Sequence, residues 1–540
     1  MDSVGGVTHH HLVTAGWRRL YPRAPAIVWV PAVAVAGAMA LPLAYLVLRA
    51  AGAETGIWDV LVRWRTAQIL GRSVLLVASV TGVSIAIAVP LAWLTIRTDL
   101  PLRRVWSVVT ALPLVIPSYI GALVVIAALS PRGMLQGLLE SLFGIQRIPD
   151  IFGFWGATLT LALLSYPYVL LPVRAAIRGL DPGMEETSRG LGYGPWDTFW
   201  RVTWPHLRPS VAAGALLVAL YTLSDFGAVS LLRYETFTWA IYVQYDSLFD
   251  RGVSAGLSLV LVALALAILL GEARSRGRAE YFSRAAGGTK PAMIISLGRW
   301  RWPALGFCGG IVLLSLVAPM SILTYWVVRG LQAGESLGAF WGAAGNSLYV
   351  SSLAAVACVL VSVPVAVLVV RYPSRFAALV ERVSYLGFAL PGIVIALALV
   401  FFGANYAGPL YQTQGLLIFA YLVLFLPPAI GATRASLLQV NPRLEEAARG
   451  LGLSPLRVFG SVTFPLIRSG MLAGAALVFL ITMKELPATL ILSPIGFKTL
   501  ATSVWDATQA AFFTQAAFPA LLLILLSAVP MSLLILRGTR

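Results

Sequence analysis

Cysteine is nearly missing from this 540-residue chain: only Cys308 and Cys358 occur, both inside apolar stretches. That excludes a disulfide framework and any metal centre built on clustered thiolates. Charge is scarce too. Charged residues make up 11% of the chain, against about 25% in soluble domains, so a water-soluble globule is excluded. Of four histidines, three form the run His9-His10-His11 in a polar tail, and no metal site is assigned to them. No GxxxxGK[ST] phosphate loop occurs. The nearest strings, IGFKT (Ile495 to Thr499) and GGTK (Gly287 to Lys290), lack a glycine directly before the lysine. Asp225-Phe226-Gly227 spells a kinase triplet with no accompanying kinase motif. The chain is therefore not expected to be an enzyme or to bind a cofactor.

Apolar residues, by contrast, make up 59% of the chain. A helix needs roughly 20 of them in a row to cross a bilayer. The apolar runs predict spans at 25–48, 73–96, 105–129, 153–177, 210–232 and 253–271, then 303–327, 346–370, 383–403, 414–436, 470–492 and 513–536. The expected fold is all-α and polytopic, with twelve transmembrane helices in two six-helix halves. The tail 1–24 lacks a cleavage site and is read as leading into an uncleaved first span. It is followed by a first half (25–271), a Gly-, Arg- and Ser-rich linker (272–302) and a second half (303–540).

The halves are copies of one another. Asp181 to Leu217 and Asn441 to Leu477 agree at about 17 of 37 positions, where chance gives roughly three. Ser73 to Arg97 answers Ser347 to Arg371, and Ala111 to Leu123 answers Ala389 to Leu399. Same-handed halves predict a pseudo-twofold axis along the membrane normal. An even span count puts both polar repeats on one side. With the N-terminus there as well, 28 of the 39 Lys/Arg fall on that side and 10 on the other. Positive residues mark the cytoplasmic face, so the repeats and both termini are expected there, despite Arg63, Arg65 and Arg72 in the first outside loop. The net charge of +17 then reports orientation, and nucleic acid is not expected as a partner.

Each repeat has the chemistry of two short helices. Asp181-Pro182 and Asn441-Pro442 supply an N-cap with proline at the first helical position. Glu185, Glu186, Glu445 and Glu446 fall in first turns, where the helix dipole favours acids. Gly190 and Gly450, with Gly192 and Gly452 just beyond, stop the first helix. The second must end or kink before Pro205 and Pro465. One acid sits deep in the fifth span of each half, Asp225 in the first and Glu485 in the second. Charges at that depth are costly and usually face protein or water, so they either line a translocation path or pack internally. Tyr242 and Tyr245 are further oxygen-bearing candidates for the path.

The string Glu446-Ala447-Ala448 followed by Gly452, Val462, Phe464 and Pro465 resembles the EAA loop of permease subunits of bacterial ABC importers. The first copy matches at Glu186, Gly192, Val202, Trp204 and Pro205, and departs at Thr187 and Ser188. The segments Asp225 to Tyr245 and Lys484 to Trp505 resemble fused ferric-iron permeases, and the resemblance covers essentially both halves. It implies a MetI-like fold and coupling through the two loops to two ATP-binding subunits, which use ATP and Mg²⁺. It also implies delivery by a periplasmic binding protein to a multi-pass permease of the inner membrane. Thiamine or a phosphonate is the alternative cargo. An ion-gradient-driven secondary transporter is the alternative of another class, and it leaves the two loops unexplained.

Overall fold

A computed structural model describes residues 24–51, 62–131, 133–145, 147–246, 251–275, 294–336 and 338–538. The His9–His11 run, nearly all of the tail and most of the linker lie outside the described residues.

Among these residues the secondary structure is helical, with one isolated bridge between Thr98 and Ile295. Among the described residues eleven helices are long and apolar enough to cross a membrane, rather than the twelve expected. The difference lies in the third span of the second half. There 383–403 is divided into Arg375–Ser384, a 3₁₀ turn at Leu386–Ala389 and the 15-residue helix Gly392–Tyr406. The third span of the first half breaks at the same place, into Arg103–Val109, Leu112–Val115 and Ser118–Leu129. Proline is the cause. Pro113, Pro117 and Pro391 remove N–H donors and push the preceding residue out of the helical region. Such irregular backbone is tolerated at membrane depth only inside protein, and every residue from Ser118 to Val124 and from Ile393 to Phe401 is buried.

The described contacts divide the chain into two compact units that cut across the sequence halves. One comprises Met1–Ala44, Ser351–Phe388 and Ile418–Thr482; the other comprises Tyr45–Val350, Ala389–Leu417 and Met483–Arg540. Each contains one polar repeat and one tight helix crossing beside it. In the larger unit, a Cβ on Gly214 would stand 2.6 Å from the Cα of Val169. In the smaller, one on Gly474 would stand 2.9 Å from the Cβ of Ala432. Helix association in lipid rests on such close packing of small residues rather than on a hydrophobic drive. These two glycines hold the fourth and fifth spans together and thereby fix the base of each repeat.

Arg65 and Arg72, which ran against the charge rule, both reach Glu235, at 3.4 and 2.6 Å. The one carboxylate offsets one of these charges, which reduces the exception without removing it.

Candidate functional site

The two repeats form matching elbows. Asp181 accepts the N–H of Gly183 at 2.9 Å and Asn441 that of Arg443 at 3.1 Å, capping the helices Pro182–Gly190 and Pro442–Gly450. The turn itself belongs to Gly192 and Gly452, at φ +88° and +86°, a conformation that side chains with a Cβ resist. Gly190 and Gly450 end their helices without it. The second helix neither ends nor turns sharply at the proline. It passes through a π-helical turn at Phe199–Thr203 or Phe459–Thr463 and runs on into the fifth span. One widened turn absorbs the clash between a proline ring and the carbonyl four residues back.

The paired glutamates divide their work. Glu185 and Glu445 are buried, whereas Glu186 and Glu446 are exposed. Thr203 donates to Oε1 of Glu185 at 3.0 Å, and Thr463 to Oε1 of Glu445 at 2.9 Å. An arginine from the end of the second span completes each group. Arg371 donates to Glu445 at 3.0 Å and to the Val440 carbonyl at 3.2 Å. Arg97, fully buried, stands 3.5 Å from Glu185. An acid on the elbow is thus tied to a cation on a membrane helix, twice over. Sequence reasoning missed Arg97, Arg371, Thr203 and Thr463, although the repeat carried the signal: each residue is identical in both copies.

The departures from the EAA pattern compensate one another. In the second elbow Ala448 and Val458 are both buried and apolar. In the first, Ser188 and Thr198 take these places and their hydroxyls lie 3.1 Å apart. Ala447 and its counterpart Thr187 are exposed. Leu191 and Leu451, also unremarked in the sequence, project from the turns at 73% and 85% exposure. A repeated, solvent-facing leucine at the end of a short helix that also carries an exposed acid has the form in which helices enter a partner's groove.

The intramembrane acids stand at helix breaks rather than within helices. The helix Trp204–Ser224 stops before Asp225, whose carboxylate accepts the N–H of Ala228 and of Val229 at 3.0 and 3.3 Å and so caps Gly227–Leu231. The carboxylate of Glu485 accepts the N–H of Ala488 and of Thr489 at 3.0 and 3.1 Å, capping Pro487–Leu492. The ammonium of Lys484 donates to the Leu114 carbonyl at 2.8 Å, joining this break to the break in the first half's third span. Phe226 packs on Tyr242 at 4.8 Å and on Trp505 at 5.1 Å, and Tyr245 lies 6.1 Å from Phe401. Among the described residues no group of three or more His, Cys, Asp or Glu could hold a metal ion.

Comparison with known proteins agrees with this geometry. The family model described as "Binding-protein-dependent transport system inner membrane component" matches twice, at residues 68–276 and 358–536. The Fe(3+)-transport system permease protein FbpB 2 of Haemophilus influenzae is 36% identical over 92% of this chain and 95% of its own length. The ferric transport system permease protein FbpB of Actinobacillus pleuropneumoniae is 25% identical over 79% of this chain and 64% of its own. The molybdenum transport system permease protein ModB of Escherichia coli is 30% identical over 37% of this chain and 90% of its own. Two family matches in one chain correspond to the two elbows. The chain accordingly belongs to the inner-membrane components of binding-protein-dependent transport systems, as a fused-duplicate ABC importer permease.

Proposed function

We propose that this permease imports ferric iron, powered by two copies of a separate ATPase docked on its elbows and supplied by a substrate-binding protein. The observation that carries the cargo is the likeness, along nearly the whole chain, to a relative named as an Fe(3+) permease. The elbows carry the coupling. Leu191 and Leu451 enter the ATPase grooves, and Glu186 and Glu446 face basic groups on their rims. Glu185, Gly192, Pro205, Glu445, Ala448, Gly452 and Pro465 hold each elbow in shape, while Gly190, Gly450 and Ala447 belong to the face offered to the ATPase. Nucleotide and Mg²⁺ belong to the ATPase. Elbows and both termini face the cytoplasm, on the side richer in Lys/Arg.

The translocation path runs past the two breaks, bordered by Asp225, Glu485, Tyr242 and Tyr245. Broken helices at mid-membrane are where transporters expose polar groups to cargo, and hard cations prefer oxygen ligands. ATP binding and hydrolysis shift the equilibrium between inward- and outward-open forms.

Vesicles containing the purified permease, its ATPase and its binding protein test this reading. We expect ATP-dependent uptake of ferric iron and none of thiamine or a phosphonate. Uptake driven by an ion gradient without ATP would overturn it.

A further inference from the structure

The larger unit carries a second feature on its elbow side that coupling does not use. A hollow of about 330 Å³ lies between the loop joining the second and third spans and the end of the fourth. Its walls carry Arg103, Arg104 and Arg178, and Ile96 and Ile294 form its apolar part. Thr95 and Ser107 also line it, but both hydroxyls are already donated to backbone carbonyls, so the guanidinium groups are the donors on offer. Asp99, the acid on the same loop, is committed to the N–H of Leu297 at 2.9 Å and to the Ser296 hydroxyl.

Comparison with the sister half shows that this positive charge is not a by-product of the fold. Aligned through Ala111 and Ala389, Arg103 falls on Glu381; aligned through the elbows, Arg174 falls on Arg434 and Arg178 on Leu438. In the second half Arg434 meets Glu381 at 2.5 Å, so that position is neutralised from within. In the first half no acid stands there. Arg174 turns inward instead, to the hydroxyls of Thr95 and Thr110 and the carbonyl of Ser107. Three arginines line the hollow where the sister positions hold an acid, an arginine and a leucine.

Large apolar side chains follow closely in the sequence on either side. Leu102 is 71% exposed and held at φ 55°, Val105 is exposed, and Trp300 and Trp302 are 63% and 77% exposed. Tryptophans in such positions sit at the headgroup level of a bilayer. A soluble anion would gain nothing from them, whereas a lipid has acyl chains to lay against them.

We propose that this hollow is a binding site for the phosphate headgroup of an anionic phospholipid, held by Arg103, Arg104 and Arg178. Planar guanidinium groups bind phosphate oxygens in pairs, and basic pockets at the ends of membrane helices recognise anionic headgroups. The site requires only that the chain lie in a membrane, so it stands apart from the choice of cargo.

Native mass spectrometry of the full chain in detergent, with phosphatidylglycerol or phosphatidylcholine added, provides the test. R103Q/R178Q should retain phosphatidylglycerol roughly tenfold less well than the parent. R103E, which installs the sister half's residue, should do likewise, and R103K should hold it nearly as the parent does. R375Q/R382Q, with the same charge loss elsewhere, should leave retention unchanged. The R103K and R103E comparison decides the matter even if the double variant folds poorly. No preference for phosphatidylglycerol over phosphatidylcholine would overturn the proposal, as would equal loss in R375Q/R382Q. So would displacement of the lipid by millimolar inorganic phosphate, which would assign the hollow to a free anion.

Discussion

Two glutamates side by side, Glu445 and Glu446, have the same chemistry and opposite surroundings. Glu445 is buried against Arg371 and Thr463. Removing it leaves a partly buried arginine with only a carbonyl partner, and breaking a fully buried pair costs about 3–5 kcal/mol, which sets the upper end of the loss. Glu446 is exposed, where a substitution usually changes stability by less than about 0.5 kcal/mol. We therefore expect Glu445→Ala to lower the unfolding midpoint of the purified permease sharply and Glu446→Ala to leave it in place. Binding of the ATPase should show the reverse specificity: Glu446→Ala weakens it although the fold is intact. Equal unfolding midpoints for the two variants would contradict this division of labour. The adjacency of two acids and their place in a first helical turn were legible in the sequence. Which of them turns inward was not, because the deciding cation is Arg371, 74 residues away.

At the scale of the element, the elbow depends on one backbone conformation. Gly450 and Gly452 each have open space where a Cβ would go, so crowding does not separate them. Their backbones do. Gly452 sits at φ +86°, where a Cβ costs about 1–2 kcal/mol. Gly450 closes a helix, where alanine is favoured over glycine by as much as about 1 kcal/mol. Gly452→Ala should therefore destabilise the permease in chemical denaturation and lower ATPase-coupled transport, while Gly450→Ala should be neutral or stabilising. The reverse order would mean that the turn is set elsewhere. Caps and glycines mark helix ends through local chemistry, so both elbows could be read from their residues. The π-helical turns before Pro205 and Pro465 could not, because a proline only demands relief of its clash. Continuity with the fifth span decides the form that relief takes.

At the scale of the molecule, the two halves are not filled alike. Beside the first elbow, Trp93 meets Phe199 edge-on at 5.2 Å, and Trp196 and Trp200 pack around the same ring. The second half has Val367, Leu456 and Gly460 at the matching positions. There an opening of about 340 Å³ remains, lined by Val367, Leu456 and Phe459 together with Ile27 and Val28 of the first helix. Filling a cavity commonly adds about 0.5–2 kcal/mol, whereas emptying a packed aromatic site costs about 2 kcal/mol or more. Val367→Phe should raise the unfolding midpoint and Trp93→Val should lower it, as measured by thermal unfolding in detergent. If Val367→Phe lowered the midpoint as well, the opening would have to be filled by something that the larger side chain displaces.

The sequence alone determined that this is an internally duplicated, many-spanning membrane protein with two equivalent polar elbows. Those features rest on local quantities: the length of apolar runs, the caps, the glycines and a pattern written twice. The resemblance to importer permeases followed from the same short stretches. Tertiary structure decided the rest. It broke the third span in both halves, placed Asp225 and Glu485 at the starts of short helices, paired Arg97 with Glu185 across 88 positions, and left one arginine-lined hollow without an internal acid. Local proline and capping chemistry permit the first two outcomes and burial decides them, whereas the pairing and the hollow depend on which distant group arrives beside a buried charge. In a medium without water that partner must come from the protein itself, and neither spacing nor periodicity along the chain names it.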